Sequence, residues 1–272
     1  MPIVKAGPYD IDYVEAGTGP AVLLLHSSAA GNRQWRRLMD ERAGKNHLVA
    51  VNLFGYGATS AWPGERPMQI DDQANLILAL AHFLPERFTL IGHSLGAAVS
   101  LQAARRLGGR LDSLVLFEPI LFYLLRQQGE MEPYAEIDAV RRGCLEAEEK
   151  GDLDAVARLF VDFWSGHGAW DATADERKGR ILPTLRALTP EWGTVGIDGP
   201  PLDSWKAIET PVHLMYATDT RRPTRAIAEI LRREYPNWQF HEVAAGGHTA
   251  PISRPDLVNP VIANILDGAS KV

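Results

Sequence analysis

The sequence has a single cysteine, Cys144, among its 272 residues. One cysteine excludes an internal disulfide and fits a reducing compartment. Long apolar runs are missing too. The longest are strand-sized, far short of the roughly 20 residues a membrane-spanning helix needs. Met1-Pro-Ile-Val-Lys5 has no long apolar core behind it, so no signal peptide is expected. These absences predict a cytoplasmic protein that does not enter a membrane. Positive charge is scarce: the net charge is −6. The pairs Arg105-Arg106, Arg141-Arg142 and Arg232-Arg233 fall on expected helix surfaces, and no basic cluster is long enough to suggest nucleic acid. The eight histidines lack paired spacing, so no metal site is expected. Gly55-Tyr-Gly57 does not open a helix within a G-x-G-x-x-G pattern, so no dinucleotide cofactor is expected either. There are no internal repeats and no low-complexity tracts.

What is present is apolar and regularly spaced. Hydrophobic residues make up 46% of the chain, enough for a large core. Ala21 to Leu25, His47 to Val51, Phe88 to Ile91, Leu111 to Phe117 and Pro211 to Tyr216 read as strands buried on both faces. Ile11 to Ala16 reads as an antiparallel edge strand and Gln239 to Val243 as the last strand. Helical patterns alternate with them. One carries Trp35, Leu38 and Met39; another starts at Asp71-Asp72 and aligns Leu76, Leu80 and Phe83. Two more fall near 223–234 and around Val261 to Leu266, where Pro260 predicts a start or kink. Such alternation predicts an α/β fold with a mostly parallel sheet covered on both faces. The rhythm breaks between about 120 and 206, where helices near 134–150, 153–164 and 175–188 follow one another without strands. Residues 1–119 and 207–272 are therefore expected to form the core, and residues 120–206 an inserted helical lid. The lid holds Phe122, Tyr123, Phe160, Phe163, Trp164, Trp170 and Trp192. Most are expected to pack it onto the core, and a few to line a pocket.

The stretch Phe88 to Ser100 organises the rest. A strand runs into Gly92-His93-Ser94-Leu95-Gly96 and then into a helix. A G-x-S-x-G pattern at a strand-to-helix junction forces a sharp turn on the serine, and the flanking glycines remove Cβ atoms that would clash. Ser94 then projects above the carboxyl edge of the sheet, and the helix dipole beneath favours negative charge there. A serine hydroxyl needs a base in reach, a group to orient that base, and donors for an oxyanion. His248, in a Gly-Gly-His-Thr loop after the last strand, is the expected base. His93 lies inside the turn; His47, His213 and His241 lie in or beside strands; His82 lies on a helix. His26 is expected to make a structural hydrogen bond, and His167, in the lid, is the one rival.

On Leu24-Leu-His26 with Trp35 downstream, Gly55-Tyr-Gly57, Gly92-His-Ser-Leu-Gly96, Pro211 opening a strand, and Gly247-His248, the chain resembles the α/β-hydrolase family. Within it the chain looks like the lid-bearing group of small esterases, haloperoxidases and carbon–carbon bond hydrolases. The resemblance covers nearly everything outside the lid. It implies an oxyanion hole made by the backbone N–H groups of Leu95 and Ser28, although His26-Ser27-Ser28 stands where the family usually has His-Gly. It also implies a triad acid, for which two positions compete. Family order favours an acid after the strand ending near Tyr216, and Asp219 falls one residue short of the usual spacing. Glu118, at the end of the strand after the turn helix, matches the position some relatives use, and its extra methylene helps span the distance. Glu118 is preferred and Asp219 kept as the alternative. Haloalkane dehalogenases and epoxide hydrolases of this fold use an aspartate nucleophile, which Ser94 replaces here. Asn52 stands where the family often has aspartate.

The expected activity is serine hydrolysis of a small, largely apolar carboxylic ester, without cofactor. Thioester, lactone and carbon–carbon cleavage, or perhydrolysis, use the same parts. A ligand receptor on the same fold is the reading from a different class.

Overall fold

The computed structural model describes residues 2–196 and 198–268. Met1 and residues 269–272 of the expected core, and Ile197 of the expected lid, lie outside the described residues. In chain order the elements are β1 (Ile3–Ala6), β2 (Tyr9–Ala16), β3 (Ala21–Leu25), α1 (Arg36–Arg42), β4 (His47–Val51), α2 (Ile70–Ala81), β5 (Phe88–His93), α3 (Leu95–Leu107) and β6 (Leu111–Phe117). Next come α4 (Phe122–Gln127), α5 (Met131–Glu149), α6 (Leu153–Ser165), α7 (Asp175–Ile181), a 3-10 segment Leu182–Ala187 and α8 (Leu188–Val195). The chain ends with β7 (Val212–Ala217), α9 (Arg222–Glu234), β8 (Gln239–Val243), α10 (Ala250–Ser253) and α11 (Pro255–Leu266).

The strands form one sheet in the order β1-β2-β4-β3-β5-β6-β7-β8. β1 and β2 pair antiparallel, as do β2 and β4; all other pairs are parallel. Alternation along each parallel strand divides the core into two layers. Leu23, Leu25, Leu90, Leu114, Leu116 and Leu214 join one cluster with α2, α3 and α9. Val22, Leu24, Ile91, Val115, Met215 and Ala217 join the other with Trp35, Val258 and Ile262. Both faces of a parallel sheet must be covered, which explains the unbroken apolar runs of β3 and β5.

Register carries the fold toward the site. Leu25 pairs with Gly92, His93 with Phe117, Phe117 with Met215, and Ala217 with Val243. The residues that follow β3, β5, β6, β7 and β8 therefore leave the sheet at one edge. β4 lies on one side of β3 and β5 on the other, so chain direction across the sheet reverses there. In open α/β sheets the crevice at such a switch point is where ligands bind.

Several expected elements differ. β1 was not expected; the Gly7 turn, at φ +61°, returns the chain onto β2 as a hairpin. α4 was also unforeseen. The helix expected over 175–188 is three pieces, because Pro183 opens a 3-10 segment within it. α11 begins at Pro255 and carries Pro260 inside it rather than starting there. Phe83 lies beyond the end of α2 and is exposed rather than on its buried face. Between β6 and β7 the described residues form helices and turns and no strand. Among the described residues no helix is long and apolar enough to cross a membrane.

Candidate active site

Ser94 sits between β5 and α3 at φ +57° and ψ −115°, a conformation that a residue with a side chain rarely adopts. The two glycines make it possible. A Cβ on Gly92 would stand 2.4 Å from the Gly96 carbonyl oxygen, and one on Gly96 would stand 2.4 Å from the Leu25 carbonyl oxygen. The turn is pinned by Ser94 N–H donating to the Phe117 carbonyl (2.9 Å) and Gly96 N–H to the His26 carbonyl (3.1 Å). α3 thus starts against the end of β3. Leu95, its first residue, has an N–H with no acceptor in the helix, as at every helix start.

Ser94, His248 and Glu118 meet in one hydrogen-bonded chain. Ser94 Oγ lies 2.8 Å from His248 Nε2, and His248 Nδ1 lies 2.7 Å from Glu118 Oε2. All three are buried, Ser94 3% exposed and Glu118 1%. With Nδ1–H donating to the carboxylate, Nε2 is left as an acceptor for the serine hydroxyl. Glu118 is itself held: Oε1 accepts from Ala217 N–H (2.8 Å) and Oε2 from the Thr220 hydroxyl (2.7 Å). Of the two candidate acids, the structure brings Glu118 to His248. Asp219 does not reach His248. Its carboxylate accepts from Gly246 N–H (3.1 Å) and Gly247 N–H (2.9 Å), bracing the loop that carries the histidine. Those two amides, with Arg225 nearby, hold its carboxyl below the ordinary range against some burial. Thr220 occupies the expected acid position and hydrogen-bonds the glutamate instead.

The remaining histidines have structural settings. His93 donates from Nε2 to the His248 carbonyl (2.8 Å), and burial lowers its pKa well below the usual value. His26 donates from Nδ1 to the Ser27 carbonyl and accepts Leu53 N–H at Nε2; burial brings its pKa down to about 4. His167, the rival base, is fully exposed beside Asp162. Asn52 pins loops: its Oδ1 accepts Asn32 N–H (2.8 Å) and its amide donates to Asp12 (2.8 Å).

In the loop after β3, three amides are committed. Ser27 N–H donates to Gln34, Ala29 N–H to the Tyr56 hydroxyl, and Ala30 N–H to the Ser27 carbonyl. Ser28 lies between them and faces a small cavity of about 20 Å³ shared with Ser94. The rest of the wall is Ile120, Phe122, Phe160, Trp164, Leu188, Glu191, Trp192 and Val195. Phe122, Phe160, Trp164 and Trp192 are thus the aromatics that face the cavity, whereas Tyr123 and Trp170 are buried in the core. The Trp164 ring lies over the His248 imidazole, centroids 4.0 Å apart and planes tilted by 30°.

Two residues of the site, Glu191 and Thr220, were not expected there from the sequence. Glu191 of α8 is buried and accepts from the Tyr56 hydroxyl (2.6 Å), with the Ser28 side chain on the same cavity wall. Burial raises its pKa to about 7 against the pull of the Ser28 and Tyr56 hydroxyls. Glu191 and Tyr56 are 135 positions apart, and only the docking of α8 joins them. Thr220 was legible only as a residue in the place of an acid.

Comparison with known proteins agrees with this architecture. A sequence model described as the alpha/beta hydrolase family matches residues 22–261. The chain belongs to the alpha/beta hydrolase family. It is 32% identical to a haloalkane dehalogenase of Agrobacterium fabrum, over 97% of this chain and 89% of that one. An alpha/beta hydrolase from a Medee basin deep-sea metagenome library superposes with a TM-score of 0.81 at 15% identity, covering 100% of this chain and 98% of that one. A thermophilic esterase from Thermogutta terrifontis superposes at 0.75 with 19% identity, covering 98% and 99%. These likenesses to solved structures speak for the fold. Among the described residues, no group of three or more His, Cys, Asp or Glu side chains could hold a metal ion.

Proposed function

We propose that this alpha/beta hydrolase is a serine hydrolase that cleaves a small, largely apolar carboxylic ester through an acyl-enzyme. The observation that carries this reading is the buried Ser94–His248–Glu118 chain, with the serine opening onto an apolar cavity. His248 Nε2 takes the proton as Ser94 Oγ attacks the carbonyl carbon. The oxyanion is met by Leu95 N–H, at the positive end of α3, and by Ser28 N–H. The imidazolium passes its proton to the departing alkoxide. His248 then deprotonates a water, which attacks the acyl carbon and releases the acid and Ser94. Glu118 holds the tautomer and stabilises the imidazolium, and Trp164 adds an aromatic face to the same cation. The cavity is small, about 20 Å³, and its largely apolar lining favours a small apolar substrate group. Residues 120–206 act as a lid that keeps water from the site.

Similarity to a dehalogenase does not carry that reaction over. Attack of a serine on an alkyl halide gives an ether, which has no carbonyl for water to attack, so the enzyme would stop after one turnover. A carboxylate nucleophile gives an ester, which water can open.

The test is a fluorophosphonate probe with mass spectrometry of the adduct, run beside Ser94→Ala, followed by a panel of esters, thioesters, lactones and diketones. Capture at Ser94 that the variant abolishes, with preference for esters, supports the proposal. Folded protein without an adduct favours the receptor reading instead.

A further inference from the structure

The helical segment also reaches the loop after β3 through polar contacts that the hydrolytic reading does not use. Ala29, one residue beyond Ser28, lies at φ +60°, a left-handed conformation that a Cβ disfavours. Both of its backbone polar atoms are gripped. Its N–H donates to the Tyr56 hydroxyl (2.9 Å), and its carbonyl lies 3.2 Å from Thr184 Oγ1, whose one proton it shares with the nearer Ile181 carbonyl (2.6 Å). Thr184 belongs to the 3-10 segment before α8. The Tyr56 hydroxyl in turn donates to Glu191 Oε1 of α8 (2.6 Å). Each grip on Ala29 therefore ends on residues 182–195, one directly and one through Tyr56. A hydroxyl that accepts an amide while donating to a carboxyl is polarised in both directions, which strengthens both bonds.

We propose that Thr184, Tyr56 and Glu191 are positioning residues that couple the seating of residues 182–195 to the shape of the oxyanion loop. With the segment docked, Ala29 is held left-handed and Ser28 N–H faces the reacting carbonyl. With the segment lifted, Ala29 relaxes and that donor turns away. Closing over substrate and completing the oxyanion hole are then one event, a form of induced fit. The inference rests on the serine-hydrolase reading. Losing one oxyanion donor outright costs on the order of 10²–10³ in kcat. Loosening it through one tether costs less, about tenfold.

The experiment compares Tyr56→Phe, Thr184→Val and the double variant in turnover of p-nitrophenyl acetate, with Ser94→Ala as the blank. Each single variant should lower kcat about tenfold and change KM less than about twofold, because the donor acts on the transition state. Both tethers hold one residue, so the double variant should fall only about threefold below the worse single, not a further tenfold. Thr184→Ser, which keeps the hydroxyl, should restore most of kcat. Additive losses, or a raised KM with kcat intact, overturn the coupling and make these residues part of the cavity wall. If Tyr56→Phe does not fold, the contrast between Thr184→Val and Thr184→Ser decides alone. Turnover that Ser94→Ala does not remove sinks the hydrolytic reading itself. Turnover that depends on Ser94 but ignores Thr184→Val sinks only the coupling.

Discussion

Replacing Glu118 by glutamine separates an acid that fixes a tautomer from one that merely fills space. In the native site Oε2 accepts from His248 Nδ1 and from the Thr220 hydroxyl, while Oε1 accepts from Ala217 N–H. Glutamine offers one oxygen and one amino group, so one side must present a donor to a donor. If the amino group faces Ala217, a buried N–H loses its acceptor. If it faces His248, the imidazole moves its proton to Nε2 to accept at Nδ1. Ser94 then meets an N–H where it needs a base. Either way the imidazolium loses its carboxylate. The precedent for a triad acid changed to its amide is a loss of about 10⁴ in kcat, equivalent to about 5.4 kcal/mol at 1.36 kcal/mol per tenfold. Asp219→Asn gives up one of two hydrogen bonds to Gly246 and Gly247 at a position open to water, so its loss should stay within about tenfold. Initial rates on p-nitrophenyl acetate, corrected with Ser94→Ala, measure both. Glu118→Gln retaining a tenth of wild-type kcat would falsify the assignment, as would an equal loss in Asp219→Asn.

Trp164→Ala should lower kcat roughly tenfold by uncovering His248, and unfolding by denaturant should show a cost of about 3–5 kcal/mol for the space left behind; Trp164→Phe keeping no more activity than Trp164→Ala would argue against stacking. Glu191 ionises above about 4.5 when unfolded but only near 7 when folded, so the stability it contributes below pH 4.5 is lost as pH rises to 7, by about 3 kcal/mol. The difference in stability between Glu191→Gln and wild type, followed by urea unfolding from pH 4 to 8, should therefore shift in favour of the variant by that amount; a flat difference would place the carboxyl's titration elsewhere. Gly96→Ala puts a Cβ 2.4 Å from the Leu25 carbonyl, so it should displace α3 from β3 and abolish fluorophosphonate capture even in protein that still shows native circular dichroism.

The sheet and its carboxyl edge were legible because parallel strands must be apolar on both faces. Leu23 and Leu24 point to opposite layers, and both are fully buried. Ser94 was legible because Gly92 and Gly96 answer a steric demand that only glycine meets. His248 was legible from its loop after β8. β1 and α4 were not, since a hairpin at a solvent-facing edge and a six-residue helix need little periodicity. Pro183 breaks the stretch expected as one helix, because its ring and missing N–H open a 3-10 segment there. The acid could not be settled from spacing. Thr220 stands where an acid was expected, and its hydroxyl supports the glutamate that does the bonding. A residue type can thus report the neighbour's role rather than its own.

Among the described residues, the non-glycine residues with positive φ are Ala29, Ser94 and Glu118, and all three stand at this site. At about 1–2 kcal/mol each, left-handed backbone at three such residues costs about 3–6 kcal/mol, a large share of a typical folding free energy. None of the three can relax cheaply. Ser94 is fixed through Phe117, Glu118 through its N–H to the Met215 carbonyl (3.0 Å), and Ala29 through Tyr56 and Thr184. Two of these holds come from the sheet and are permanent. The third comes in part from the segment before β7, through Thr184 directly and through Glu191 behind Tyr56. Strain that persists needs surroundings that over-determine it. For Ser94 and Glu118 those surroundings are the strands themselves, which hold both residues independently of the helical segment. For Ala29 they include a helical segment, so under the coupling proposed above the loop carrying Ser28 is the part of the site that closure would set.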